Sequence, residues 1–350
     1  MWPATDLTEE LGVRAPILQA PMWGGIATPE LAAAVGEAGG VGALGTADMP
    51  SDRIADAVAA VRARTDAPLH LDLALAPPTG DGAPVARASA ALHPFREELD
   101  LDAPDVSPEP EPPTLERQVE AVCGARPAVV SVTGGVPPET VLRTVRSTGA
   151  LVLATATTVT EGIMLADTGL VDVIVAQGAE AGGPRATFAV PADHGLVGTL
   201  ALVQGLRAAV RRPVIAAGGI MTGEAIRAAL ALGAVGVMMG TAFVAVDESG
   251  ADGTYANAVK TARDDGTVVT RAFTGRPERV VRNRFVMEVA DAPIADYPAQ
   301  AALTAPIRRA AAERRMPELR ALRAGQGAAL ARRVPVGDLM TALEAETGMA

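Results

Sequence analysis

Eight times along this chain a short, mostly apolar run gives way to an amphipathic, alanine-rich segment, and this repetition constrains the fold more than any other feature. The runs fall at residues 16–20, 41–44, 69–75, 128–132, 150–154, 171–176, 213–216 and 235–239. Consecutive apolar positions suit strands of a parallel sheet covered on both faces. Residues 29–39, 51–64, 139–147, 159–167, 196–210 and 223–232 read as helices, the first with Thr28 as its cap and Pro29 in its first turn. Such alternation predicts an α/β fold, and eight units close a (β/α)8 barrel, the TIM barrel. The rival is a doubly wound open sheet, whose first strand runs into GxGxxG. Here it runs into Gln19-Ala-Pro-Met-Trp-Gly-Gly25, which does not match.

Two stretches stand outside the alternation. Residues 77–113 are rich in Pro, Asp and Glu, with helical spacing at 86–99, which predicts an excursion packed on the barrel rim. Residues 243–350 continue past the eighth strand. Their first part is expected to carry the eighth helix, and the rest to wrap back as a helical cap. The predicted organisation is thus a barrel over 1–245, with its Pro-rich excursion, and a helical extension over 246–350 that helps form the substrate pocket.

Composition narrows the partners. The net charge is −11 and the pI about 4.9, so there is no basic field to hold nucleic acid. Cys123 is the sole cysteine, and His70, His93 and His194 are far apart in sequence, so neither an internal disulfide nor a metal site is expected. No apolar run approaches about 18 residues, and no signal peptide is evident at the N-terminus, so a cytoplasmic protein without a membrane span is expected. Oligomeric state is not legible.

In a barrel, chemistry sits in the loops after the strands. The seventh strand is followed by Ala217-Gly218-Gly219-Ile220 and the eighth by Gly240-Thr241-Ala242. Glycine loops at these two strands form a phosphate cradle in many barrels, because bare backbone N–H groups can approach an anion there. Taken singly, each could be only a tight turn. After the sixth strand, Gln177-Gly-Ala-Glu-Ala-Gly-Gly-Pro-Arg185 crowds polar side chains and glycines together, and is read as lying against a ligand.

The chain resembles the nitronate monooxygenase family (older name 2-nitropropane dioxygenase), FMN barrels whose relatives include enoyl reductases. The matching pieces, in family order, are PILQAPMWGG (16–25), VVSVTGGVP (129–137), TATTV (155–159), VAQGAEAGG (175–183), PVIAAGGI (213–220), GVMMGTAF (236–243), TRAFTGRPERVVRNRF (270–285) and AGQGAAL (324–330). The resemblance implies FMN, with its phosphate on Gly218, Gly219, Gly240 and Thr241. It implies flavin-ring contacts from Ala20, Pro21, Met22, Gln177 and Gly178, with Gly182 and Gly183 of the same loop beside them. Asp72 stands where family members often carry Asn near the flavin, and so places an acceptor-only carboxylate there. Tyr255 and Tyr297 match family tyrosines near the substrate, and a packing role is open for each.

The departures bear on mechanism. Family nitronate enzymes carry a catalytic His after AGG, where this chain has Pro184; others carry one where Thr155 stands. A phenylalanine-containing stretch is replaced by Thr133-Gly134, and the Trp before AGQ by Arg323-Ala324. His194 is the one histidine placed to swing over the pocket, with a surface role as the alternative. His70 is expected on the far barrel face, as is Cys123. The implied activity is FMN-dependent oxidation of a nitronate or related small anion by O2. The alternatives are an NAD(P)H-dependent enoyl-type reductase and a tailoring flavoenzyme acting on a non-nitro substrate.

Overall fold

Eight parallel strands run round a single sheet and meet again. The computed structural model describes residues 2–75, 82–102 and 114–348; the remainder of the predicted 77–113 excursion lies outside them. In chain order the strands are β1 (Ile17–Gln19), β2 (Gly42–Leu44), β3 (Leu69–Ala74), β4 (Val129–Thr133), β5 (Leu151–Ala156), β6 (Val173–Gln177), β7 (Gly183–Pro184), β8 (Val214–Ala217), β9 (Gly236–Met239), β10 (Thr267–Thr270) and β11 (Glu278–Val281). All but β7, β10 and β11 form the sheet, in the order β1-β9-β8-β6-β5-β4-β3-β2. A bridge between Leu18 and Val41 returns β1 to β2 and closes the TIM barrel. The Gln19 side chain reinforces this short seam: its amide donates to Ala43 O and accepts from Ala43 N, both at 3.1 Å. Each barrel strand lies within two residues of its expected place.

Side chains alternate along the strands, as a pleated backbone requires. Leu69, Leu71 and Leu73 of β3, with Val130 and Val132 of β4, pack outward under the helices. Leu18, Val129, Leu153, Val173 and Ile215 fill the barrel interior with Leu7, from the short helix Asp6–Leu11, which closes the N-terminal end. A filled interior makes the barrel a solid platform, and leaves the C-terminal strand ends as the place where a ligand can sit.

The eighth helix corrects the sequence reading. The chain after β9 does not enter it; instead Val336–Thr347, at the far end of the chain, packs between Gly223–Ala231 and Pro29–Glu37 and completes the helical ring. Residues 244–335 are thus inserted between the eighth barrel strand and its helix. Nor is this stretch only helical, because β10 and β11 form an antiparallel hairpin, and β11 pairs with β7.

The excursion also differs from expectation. Residues 86–99 form two short helices, Val85–Ala91 and His93–Glu98. Their buried faces (Ala88, Leu92, Phe95, Leu99) pack against Phe273, Phe285, Leu303 and Ile307 of the inserted arm rather than on the barrel rim. Phe273 stacks on Phe285 with ring centres 4.7 Å apart, and Phe95 lies 4.8 Å from Phe285. This second core fixes the arm over the strand ends.

Candidate active site

A cleft opens at the C-terminal ends of the strands. It is lined from β1 by Ala20, Pro21, Met22 and Trp23, from β3 by Asp72, and from β6 and β7 by Gln177, Gly182, Gly183 and Pro184. Gly218, Gly219, Gly240 and Thr241 line it from the ends of β8 and β9. Tyr255, Arg276 and Arg323 line it from the inserted arm. Of the residues singled out from sequence, Gly178 and Tyr297 lie behind this lining and His194 lies outside it. His194 is exposed in the turn before the helix Thr199–Ala209.

Gly218 and Gly219 both have positive φ, +108° and +72°, a region that L side chains rarely adopt. Gly240 has φ −109°, so its backbone does not demand glycine. A Cβ there would meet the Ala20 side chain at 3.3 Å and reduce the space against the cleft. The Thr241 hydroxyl accepts from Gly325 N at 2.9 Å and keeps its own hydrogen to donate. Bare backbone at two adjacent strand ends, beside one hydroxyl, is a fit for a phosphate group. Gly178 and Gly182 are small for another reason: added Cβ atoms would meet Thr199 Oγ1 at 1.9 Å and Ala324 C at 2.5 Å.

The loop after β6 is built less for a ligand than its composition suggests. Glu180 caps the helix Thr199–Ala209, accepting from Thr199 N at 2.9 Å and Thr199 Oγ1 at 2.8 Å. Gln177 reaches the cleft but spends its amide on the loop itself, donating to Pro184 O (3.1 Å) and accepting from Ala186 N (3.0 Å). Pro184 stands in β7, opposite Glu278 of β11. Glu161, fully buried, accepts from Thr157 N and Phe188 N, both at 2.6 Å, and draws the rest of the loop onto the barrel.

Asp72 is the carboxyl of the cleft. Its Oδ1 accepts from Thr46 N (2.6 Å) and Ala47 N (3.1 Å), and its Oδ2 from Trp23 Nε1 (2.7 Å). Burial pushes its pKa up to about 7 despite these donors, so near neutrality the carboxyl is divided between acid and carboxylate. The acceptor-only expectation therefore holds only for the ionised form.

Two residues below it correct a second expectation. His70 is not on the far barrel face; it points into the barrel from β3, with Nε2 2.7 Å from Ser131 Oγ, and Ser131 itself lines the cleft. Burial holds His70 down to about 4 and therefore neutral, and its buried Nδ1 has no partner. Cys123 sits half-buried in the helix Leu115–Gly124, away from the cleft lining.

Among the described residues, three guanidiniums meet the cleft. Arg185 is pinned by carbonyls, donating to Gly178 O (2.6 Å), Gly195 O (3.1 Å) and Gln177 O (3.2 Å), and burial lowers its pKa to about 10. Arg323 pairs with fully buried Glu278 at 2.6 Å. Arg276 lies 3.6 Å from the centre of the Tyr297 ring and 5.9 Å from that of Trp23. The Tyr255 hydroxyl donates to Arg323 O at 2.9 Å, and burial pushes its pKa up to about 12. Arg276, Glu278 and Glu161 escaped sequence reasoning. The first two lie inside the quoted stretch 270–285, but nothing local shows that they reach the cleft or its wall.

A TIM barrel with a glycine cradle and a covered cleft at its strand ends defines an enzyme that binds a small ligand there. The chain belongs to the nitronate monooxygenase family, whose sequence pattern matches residues 5–346, and it is an oxidoreductase. A nitronate monooxygenase of Pseudomonas aeruginosa is 39% identical over 350 residues, covering 97% of this chain and 98% of that protein. A nitroalkane oxidase from Streptomyces ansochromogenes superposes with TM-score 0.91 at 37% identity, covering 98% of this chain and 97% of that one. FabK from Thermotoga maritima is more distant, with TM-score 0.78 at 29% identity over 99% of this chain and 96% of that one. Among the described residues, no helix is long and apolar enough to cross a membrane.

Proposed function

We propose that the protein oxidises a nitronate, or a related small anion, with O2 and a bound FMN. The observation that carries this reading is the glycine cradle of Gly218, Gly219, Gly240 and Thr241 beside a cleft whose lining, among the described residues, contains no histidine. One phosphate cradle without a dinucleotide fingerprint suits FMN rather than FAD. In this reading Ala20, Pro21, Met22, Gln177, Gly182 and Gly183 flank the ring, with Gly178 supporting them from behind and Asp72 beside it. Bound flavin would supply the electron transfer.

The chain's own residues decide which substrate form is used. Pro184 has no side-chain base, and the Thr155 hydroxyl is too weak to take a proton from carbon near neutral pH. Tyr255 is held neutral and committed to Arg323 O. Tyr297 serves as a platform for Arg276, His194 is exposed away from the lining, and both oxygens of the Asp72 carboxyl are engaged by Trp23, Thr46 and Ala47. A nitronate has already lost its proton, so the missing base costs it nothing. A neutral nitroalkane forgoes base catalysis, worth about 10²–10⁴-fold.

The test compares pre-formed alkyl nitronate with the matching nitroalkane at equal concentration, following O2 consumption. Measurable oxidation of the nitronate, with little or none of the nitroalkane, is expected, along with FMN released on heat denaturation. Equal rates would mean that a base exists, and inertness toward both would end the nitronate reading. Anaerobic NADPH separates the reductase alternative: rapid bleaching of the flavin would favour it.

A further inference from the structure

We propose that Arg276 is the anion-binding group of the cleft, holding the charged two-oxygen head of a planar small anion such as a nitronate or carboxylate. This rests on the reading of the cleft as the substrate site, and adds the residue that selects for charge.

The inference comes from comparing the three guanidiniums. Arg185 spends both terminal nitrogens on backbone carbonyls and leaves only its Nε without a partner, and Arg323 is neutralised by Glu278. Among the described residues Arg276 has no side-chain hydrogen bond or ion pair, and its Nε is buried without a partner. Its nearest carboxylate influence is Glu278, which is already paired with Arg323. Burial lowers its pKa, the signature of a cation held away from water without full compensation. A buried donor left unsatisfied is costly, so a group of this kind is expected to have a partner that comes and goes.

Its position is held from both sides. Gly275, at φ +80°, takes the turn where an added Cβ would meet Ala295 O at 2.6 Å, and Arg276 N donates to Thr274 Oγ1 at 3.2 Å. The Tyr297 ring supports the guanidinium plane at 3.6 Å. A guanidinium is itself planar and presents parallel N–H groups that match a planar pair of oxygens, which an ammonium cannot imitate. Among the described residues Asp72 is the one carboxyl on the lining, and it is committed to Trp23, Thr46 and Ala47.

The experiment titrates the FMN-loaded protein with sodium nitrate, a planar oxyanion, by calorimetry and by the visible spectrum of the bound flavin. Arg276→Gln is expected to weaken nitrate binding about 10- to 100-fold, with flavin content unchanged. Arg276→Lys should fall between it and wild type, and covers the case in which the glutamine variant does not fold. KM for a nitronate should rise by a similar factor, with a smaller change in kcat. Three results would overturn the assignment: wild-type protein that binds no nitrate, a glutamine or lysine variant that binds it as wild type does, or flavin loss on substitution, which would assign Arg276 to the cofactor. Arg276-dependent nitrate binding without nitronate oxidation would uphold the anion site and sink the activity. Nitronate oxidation with KM unchanged in the variants would do the reverse.

Discussion

Two walls of the cleft follow different rules. At the ends of β8 and β9 the wall is backbone: Gly218, Gly219 and Gly240, two of them with positive φ. Across the inserted arm it is side chain: Tyr255, Arg276 and Arg323, drawn from positions nearly 70 residues apart and held by ion pairing, ring stacking and a second hydrophobic core. The barrel wall presents groups every residue possesses, so its sequence signature is the absence of side chains. The arm wall presents particular side chains whose meeting depends on packing. The first can be shared by many reactions on one fold, whereas the second is where a family member can be rebuilt.

The largest expected effect tests the backbone wall. Gly240→Asp should abolish FMN binding and leave the barrel folded, because it sets a carboxylate against the phosphate at a residue with ordinary φ. Gly219→Asp should do the same, but is the less clean variant, since φ +72° strains any side chain and its Cβ would meet Glu180 Cβ at 3.2 Å. Flavin absorbance per folded protein reads this out, and normal flavin content in both variants would break the backbone assignment.

The next effect tests the arm wall. Arg323→Ala leaves the Glu278 carboxylate fully buried with Thr274 Oγ1, at 3.1 Å, as its remaining side-chain donor. Breaking such a pair by removing one partner costs about 3 kcal/mol, seen as a lower denaturant midpoint. FMN affinity should change far less than in Gly240→Asp. A loss below about 1 kcal/mol would mean that the pair does not hold this wall.

The smallest net effect concerns the floor beneath both walls, where β3 carries two buried titratable groups. His70 falls from 6.5 to about 4, so its contribution to stability is present above pH 6.5 and is lost as pH falls toward 4. Asp72 rises from 3.8 to about 7, so its contribution is fullest below pH 3.8 and is lost as pH rises through 7. The two slopes oppose each other between about pH 4 and 6.5, and the melting temperature of the wild type should vary little across that window on their account. Asp72→Asn should expose the His70 slope, with stability rising with pH. An unchanged pH profile in that variant would show that Asp72 ionises normally.

Much of the barrel was legible because its signals are local. Each strand is a mostly apolar run, and Thr28 caps the first barrel helix, its Oγ1 accepting from Leu31 N at 3.0 Å. The place of Gly218, Gly219 and Gly240 at the cleft could be read for the same reason, as glycines directly after two strands. The misreadings share one cause. Glu180 looked like a ligand contact because polarity at a strand end does not say whether a carboxylate faces a cleft or caps the next helix. His70 was set at the far end because where strand pairing begins is not written in composition, and His70 already pairs with Ala43 and Val129.

What this chain determined by sequence alone is therefore its eight-fold alternation, its glycine loops and the missing histidines at 155 and 184. What only the tertiary structure decided is which distant segments meet. Any amphipathic helix could in principle cover the gap beside Pro29–Glu37, and Val336–Thr347 does so across an insertion of some 90 residues. Loop closure grows costlier only slowly with length, so no local rule prefers a nearer segment. Arg276 reaches Trp23 and Tyr297 for the same reason: packing of Phe273 and Phe285 against Phe95 sets the arm in place, and that contact has no counterpart in the spacing of residues along the chain.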